Sequence, residues 1–146
     1  MGALSAGTAR VVKDSEGMIA SDYGVKANAV IYQGGLVMLD TGGYLVPAAD
    51  TSNCKVVGVA DETCTGTGTD GVTRCRVLSG ATWKFAASSL VITNLDAPLL
   101  YVVDDNTVDE TSPANSVKAG LYSTPYISAT ECWMHIPRLG VHTYGL

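Results

Sequence analysis

Short apolar runs separated by glycine-containing turns dominate the chain from residue 29 onward. The segment AVIYQGGLVML has two such runs on either side of Gln33–Gly35, and LVMLDTGGYLVPA has two more around Asp40–Gly43. Runs of Val, Ile, Leu and Tyr broken by glycine are typical of β-hairpins. The segment CKVVGVADE predicts a further strand, in which Gly58 marks a bulge or the close approach of another backbone.

Apolar and polar residues alternate along VTRCRVLSGATWKFAA, which predicts two strands joined at Ser79–Gly80. Arg74 and Arg76 share one face of the first strand. Trp83 and Phe85 share a face of the second, so both large rings are expected in the core. Between residues 63 and 72, TCTGTGTDGV has no apolar anchor before its last residue and predicts a flexible surface loop.

The last third of the chain continues the β pattern. LLYVVDDNTVDE predicts a strand, a turn and a second strand, NSVKAGLYST and ATECWMHIPRL predict two later strands, and GVHTYGL predicts a closing strand or tail. SSLVITNLDAP is the one candidate for a helical turn, with Ser88 as its N-cap and Pro98 as its end. About ten short strands with at most one short helix indicate an all-β fold, a small barrel or sandwich.

The first 28 residues differ from the rest because they mix small, polar and scattered apolar residues without a helical or strand period. We therefore predict an extended N-terminal arm over residues 1–28, which needs a partner to become ordered, and a single β domain over residues 29–146.

Charged residues are scarce. They make up 16% of the 146 residues, against about 25% in ordinary soluble proteins, whereas 47% are apolar. By surface scaling this leaves one charge per roughly 300 Å² of surface. Such a surface suggests coverage by partner proteins, although a free surface rich in Thr, Ser and Gly would look the same.

The sign of the charge and the absence of apolar stretches limit the classes of partner. The net charge is −5 and there is no run of Lys or Arg, which argues against binding to nucleic acid or to an anionic membrane surface. The start MGALSAGTAR has no apolar core of a signal peptide, and no apolar stretch is long enough to span a membrane. Secretion and membrane insertion are therefore not expected.

Asp40-Thr41-Gly42 is the triplet that carries the catalytic carboxylate of aspartic proteases. Such an enzyme needs two carboxylates sharing a proton, which a chain of this length supplies only as a dimer. The following Gly43 and Tyr44 favour a tight turn in which Asp40 accepts hydrogen bonds from the backbone. We predict a hairpin turn and no enzymatic activity, with a dimeric protease as a remote alternative.

Three further patterns have structural explanations. Gly66, Gly68 and Gly71 match a dinucleotide-binding spacing, but a strand and not a helix follows them. The four cysteines are expected to be reduced, and Cys132 and His135 lie on opposite faces of a strand, so no metal site is predicted. An acidic cluster could bind calcium, but its spacing suits a turn better; it comprises Asp104, Asp105, Asp109 and Glu110.

The order of these segments resembles the small decoration, or cement, proteins of tailed-bacteriophage capsids. The similarity runs from VIYQGGLVMLDTGGYLVPAADTSNCKVVGVADE through RCRVLSGATWKFAAS and LLYVVDDNTV to VKAGLYSTPYISATECWMHI, about 110 residues in all. It implies a β-tulip-like domain that binds the outside of an icosahedral head, often as a homotrimer, and clamps neighbouring major capsid subunits. The arm has no counterpart in this pattern. Neither does the loop TCTGTGTDGV at residues 63–72, which we call the Thr/Gly loop.

We accordingly expect a structural virion protein on the outer capsid surface, made in the host bacterial cytoplasm. Its partner would be the major capsid protein, and no cofactor or small-molecule substrate is expected. An unanchored arm can join a neighbour's sheet edge, and paired arginines can reach acidic capsid residues. The candidate contact residues are Ala3, Leu4, Ala6, Thr8, Arg74 and Arg76. The alternative is a β-barrel module for host glycans or receptors that uses exposed Trp or Tyr side chains for stacking. Burial of Trp83 and Trp133 would remove its main groups.

Overall fold

The structure is a computed structural model that describes residues 2–91 and 99–138. These ranges form thirteen strands and no helix, which confirms the predicted all-β class. In chain order the strands are β1 (Val12–Asp14), β2 (Ile19–Gly24), β3 (Val30–Ile31), β4 (Leu36–Leu39), β5 (Leu45–Pro47), β6 (Lys55–Ala60), β7 (Cys64–Thr65), β8 (Arg74–Ser79), β9 (Ala81–Ala87), β10 (Leu99–Val102), β11 (Thr107–Asp109), β12 (Lys118–Ser128) and β13 (Glu131–Ile136).

Five strands form a small closed barrel. They pair in the order β2-β8-β6-β4-β5. Val25, which directly follows β2, bridges Leu45 of β5 in parallel and closes the circle. Strands β3 and β7 pair with each other and add side chains to the same interior. The interior of this small barrel consists of Val25, Ile31, Val37, Leu45, Val57, Ala60, Cys64, Cys75 and Val77.

The other strands form a sheet of six, in the order β1-β9-β11-β10-β12-β13. This sheet also closes on itself, because β13 pairs with β9 along six residues, from Glu131 opposite Ala86 to Ile136 opposite Ala81. One edge of β9 is therefore paired with β13. Its other edge is paired first with β1, at Thr82 and Trp83, and then with the parallel strand β11, at Ala86 and Ala87. Trp83 and Phe85 of β9 are both 1% exposed, which confirms that the two large rings lie in the core.

Strands β4 and β6 belong to both cores, because side chains on their two faces are buried in different clusters. On β6, Val56 and Val59 face the larger core, whereas Val57 and Ala60 face the small barrel. The change of face between Val57 and Val59 occurs at Gly58, opposite a register shift in β4. A Cβ at Gly58 would collide with the carbonyl oxygen of Leu78, which confirms the predicted close backbone approach.

Two predicted turns have different outcomes. Strands β4 and β5 form the hairpin predicted around Asp40, and its Oδ1 accepts hydrogen bonds from the N–H groups of Gly42 and Tyr44 at 2.9 and 3.0 Å. The prediction of a hairpin around Gln33–Gly35 is wrong, because β3 and β4 do not pair with each other. The run before this turn forms β3 and pairs with β7, because β4 already has β5 and β6 as its two neighbours.

The prediction of an unanchored arm over residues 1–28 is wrong for most of that segment. Strand β1 pairs with β9, and β2 pairs with β8 over six residue pairs, from Ile19 opposite Ser79 to Gly24 opposite Arg74. Strand β2 reads IASDYG, in which the alternation of burial is too weak to stand out in the sequence. The residues before β1 form no strand, and we call residues 2–11 the N-terminal segment.

The Thr/Gly loop is more structured than expected. Its first residues form β7, and a Cβ at Gly66 would collide with the carbonyl oxygen of Lys26. Asp70 accepts a hydrogen bond of 2.8 Å from the N–H of Ala27. The candidate helical turn falls largely on residues 92–98, and the predicted closing strand falls beyond residue 138, so both lie outside the described residues. Within residues 2–91 and 99–138, the structure has no helix that is long and apolar enough to cross a membrane.

Candidate docking surface

The backbone of the N-terminal segment is bonded to its own domain at four residues. The first is Gly2, whose carbonyl oxygen accepts from Asn106 Nδ2 at 3.2 Å. The N–H of Leu4 donates to Asp105 Oδ1 at 2.8 Å, and the N–H of Thr8 donates to the carbonyl oxygen of Gln33 at 2.9 Å. Val11 accepts from the N–H of Lys84, also at 2.9 Å. Leu4 is half-buried, whereas the other residues from 2 to 9 are exposed. The segment is therefore tethered but largely accessible.

Gly34 allows the N-terminal segment to lie this close to the turn between β3 and β4. Its φ of 82° is in the left-handed region, and its N–H donates to Ala60. A Cβ at this position would collide with the carbonyl oxygen of Thr8 and lie 2.7 Å from Thr8 Cγ2. A glycine at residue 34 is thus required both by the turn and by the segment that crosses it.

Arg10 is the strongest anchor of the N-terminal segment. Its guanidinium donates to the carbonyl oxygens of Gly34 and Lys84 at 2.6 and 2.8 Å and to Asn106 Oδ1 at 2.9 Å. The guanidinium carbon also lies 4.0 Å from the centre of the Phe85 ring, a cation–π contact. Burial lowers the pKa of Arg10 to about 10, while the nearby Asp105 carboxylate acts in the opposite direction.

Asp105 is the buried acidic group beneath the same segment. Asp105 is 4% exposed, and burial raises the pKa of its carboxyl group above the ordinary value of 3.8. The hydrogen bond from Leu4 and the charge of Arg10 partly offset this increase, whereas Asp104 adds to it. Arg10 and Asp105 therefore form an electrostatic seat for residues 4–10.

The four predicted contact residues of the N-terminal segment lie along one exposed path. Ala3, Ala6 and Thr8 are exposed, and Leu4 rests against the turn that contains Gly35. In the described part of the chain, no hydrogen bond reaches the backbone of Ala3, Ser5 or Ala6. These peptide groups can therefore bond to another chain without breaking a contact of their own.

Arg74 and Arg76 project from β8 as predicted and are both exposed. Arg76 already forms an ion pair within its own chain, because its Nη2 and Nε atoms lie 2.5 and 2.7 Å from Asp61 Oδ2. Arg74 has a single longer bond of 3.3 Å to the carbonyl oxygen of Asp22. Of the two, Arg74 is the better placed to contact an external carboxylate, and its role there stays a prediction.

Exposed apolar side chains lie near the N-terminal segment and at several other places. Val11, which ends the N-terminal segment, and Val12, which begins β1, are 52% and 41% exposed. Strand β1 is an edge strand, since β9 is its one neighbour in the sheet. The other large apolar residues of the described ranges that are exposed are Val30, Val72, Val91, Val103 and Tyr126. Residues 2–14 thus combine accessible backbone with apolar side chains, and we call them the docking edge.

The two tryptophans that a glycan-binding module could use for stacking are buried or partly buried. Trp83 is in the core, so ligands in solution cannot reach it. Trp133 is partly buried, and the ammonium groups of Lys13 and Lys84 lie 5.9 and 5.6 Å from its ring. Burial of Trp83 thus removes one of the two tryptophans from this role, whereas Tyr126 is 39% exposed.

The remaining sequence patterns have structural partners. Asp104 Oδ1 accepts from the N–H groups of Asn106 and Thr107, which confirms the predicted turn. Cys132 is buried, whereas the His135 ring on the opposite face contacts the hydroxyl of Thr82 at 3.1 Å. The backbone hydrogen bonds to Asp40, more than any other cause, lower the pKa of its carboxyl group. A carboxylate fixed in this way suits a turn and not a shared-proton pair.

Sequence reasoning missed the Arg10 and Asp105 seat, and it missed a cluster of two thiols and a carboxylate, Glu62, Cys64 and Cys75. Arg10 is the first charged residue of the chain and stands among small neutral ones, which was the available signal. No such signal existed for the thiols, because ten intervening residues separate Cys64 from Cys75. Comparison of the chain with protein-family models and with curated proteins gives no match.

Proposed function

We propose that the protein is a structural virion component that binds the outer surface of an icosahedral phage head and cements neighbouring major capsid subunits. The observation that carries this proposal is the docking edge: an extended, tethered segment with unpaired peptide groups that continues into the edge strand β1. Such a segment can add a strand to a partner's sheet through backbone hydrogen bonds, without any catalytic group. The order of the β segments supports the same role.

The electrostatic character of the chain fits a passive, lasting contact. Of 146 residues, only 23 are charged. A weakly charged surface loses little free energy when it is covered, since few charges have to be desolvated. Three copies around a threefold position would multiply a modest contact through effective concentration.

The proposal is tested by adding the purified protein to expanded empty phage heads and imaging the particles. We expect saturable density at symmetric positions and heads that withstand higher temperature. The A3D/A6D variant places two charges on the docking edge and should lose most of this binding. A114D is the matched control, because Ala114 is an exposed turn residue far along the chain. Irregular adsorption, no adsorption, or equal binding by A3D/A6D and A114D would contradict the proposal.

A further inference from the structure

Two cysteines and a carboxylate meet at the base of the Thr/Gly loop. Cys64 lies in β7 and Cys75 in β8, and the loop that joins these strands brings their side chains together. Glu62 precedes β7 and is exposed. The two sulfurs and a carboxylate oxygen of Glu62 all lie within 4.8 Å of one another. It is the one cluster of His, Cys, Asp or Glu donors in the described ranges that is compact enough to hold a metal ion.

The arrangement of the donors suits a thiophilic cation. The two sulfurs already lie within 4.8 Å of each other. Tetrahedral ligands at the zinc–sulfur distance of about 2.3 Å are separated by about 3.8 Å, which requires little movement here. Two thiolates with one carboxylate are a donor set that zinc accepts, and a water molecule can complete the four.

The surroundings of the cluster hold its donors in place and leave a route for the ion. Glu62 Oε2 accepts a hydrogen bond of 3.0 Å from the N–H of Arg76, which leaves its other oxygen available. The Cys75 thiol lies 3.8 Å from the carbonyl oxygen of Glu62, and the Cys64 thiol lies 3.6 Å from that of Arg74. Cys64 is 8% exposed and Cys75 is fully buried, so an ion would enter past the exposed Glu62.

We propose that Glu62, Cys64 and Cys75 bind one thiophilic divalent cation, of which zinc is the natural example. On binding, two S–H bonds break, two metal–sulfur bonds form and two protons pass to solvent, so no oxidant or reductant is involved. The ion joins β7 to β8 and thereby closes the Thr/Gly loop at its base. A disulfide is the other way to link these sulfurs, but it would make no use of the free oxygen of Glu62 and requires the sulfurs to approach much further.

Cobalt(II) is the probe, because zinc itself has no visible absorption. We expect the reduced full-length protein to bind one equivalent, with sulfur-to-cobalt charge-transfer bands and the absorption of a tetrahedral site, both removed by added zinc. Zinc should also raise the unfolding temperature, since it binds the folded form. C64S and C75S should each weaken the charge-transfer bands, and the double variant C64S/C75S should abolish them.

The other two cysteines give matched controls. Cys54 is 8% exposed like Cys64, and Cys132 is fully buried like Cys75, so C54S and C132S should keep the full cobalt spectrum. E62Q changes an exposed side chain, so its affinity for cobalt can be measured even where a cysteine variant does not fold. It should weaken cobalt binding by about tenfold or more, as losses around zinc ligands do, while E131Q should not. No charge-transfer band in the reduced wild type, a band that survives in C64S/C75S, or unchanged affinity in E62Q would overturn the proposal.

Discussion

At the scale of single residues, Arg10 determines where the N-terminal segment lies. Its planar guanidinium serves three acceptors on different parts of the chain, Gly34, Lys84 and Asn106, and stacks on Phe85. A lysine ammonium is a compact charge that cannot reach three acceptors in one plane, so this exchange is not conservative here.

We predict that R10K lowers the free energy of unfolding by about 1–3 kcal/mol, because buried acceptors lose their donors. The measurement is the midpoint of urea denaturation. R74K is the control, since Arg74 is exposed and has one long hydrogen bond, and it should change stability by less than about 0.5 kcal/mol. Equal effects of R10K and R74K would contradict the anchoring role of Arg10.

Asp105, in the same region, makes the stability of the folded protein depend on pH. Burial raises its pKa above 3.8 in the folded protein, so in the window from that value up to the raised pKa the folded form binds more protons than the unfolded chain. The contribution of Asp105 to stability is therefore complete below the window and is lost as pH rises through it. D105N cannot titrate, yet it keeps an oxygen that can accept the N–H of Leu4.

We expect the stability difference between wild type and D105N to shift in favour of D105N as pH rises from about 4 towards 7. Denaturation curves of both proteins at a series of pH values measure this difference, and the subtraction removes all other titrating groups. A difference that stays constant over the series would show that Asp105 is not perturbed by burial.

At the scale of elements, the sequence predicted strands where polar and apolar residues alternate over several positions. Strands β8 and β9, the Asp40 hairpin and the Asp104 turn were found because their signals are local: alternation, or a side chain that bonds the next few N–H groups. Strand β1 and the pairing of β3 with β7 were missed. Their partners are distant in sequence, and which neighbours are free depends on the whole sheet. The seat of the N-terminal segment was missed for the same reason.

Gly34 tests how the N-terminal segment depends on the turn between β3 and β4. We predict that G34A costs more stability than G43A by about 1–3 kcal/mol, the usual cost of overpacking. Both glycines have nearly the same φ, 82° and 84°, but a Cβ at residue 43 meets nothing within 4 Å. The pair therefore separates the collision with Thr8 from the strain of a left-handed residue.

The readouts are urea denaturation and limited trypsin digestion of the native protein. In G34A the displaced N-terminal segment should be cut after Arg10 faster than in wild type, whereas G43A should be cut at the wild-type rate. Unchanged cleavage of G34A, together with equal stability of the two variants, would mean that the segment does not rest on this turn.

At the scale of the whole molecule, the two closed sheets cannot be separated into independent units. Strands β4 and β6 supply side chains to both cores, so removing either sheet from the other would expose an apolar face of these strands to water. The alternative, two domains joined by a linker, would require each core to use its own strands. Shared strands predict that the cores unfold together.

Cysteines placed in both cores make this prediction measurable. Cys75 is buried in the small barrel and Cys132 in the larger core, so alkylation at increasing urea, read by peptide mass spectrometry, reports on each. We expect one midpoint for both thiols. V56A and V57A alter neighbouring residues that face different cores, and each should lower both midpoints together, at a cost of about 2 kcal/mol. If V57A advanced the labelling of Cys75 alone, the small barrel would be a separate unit.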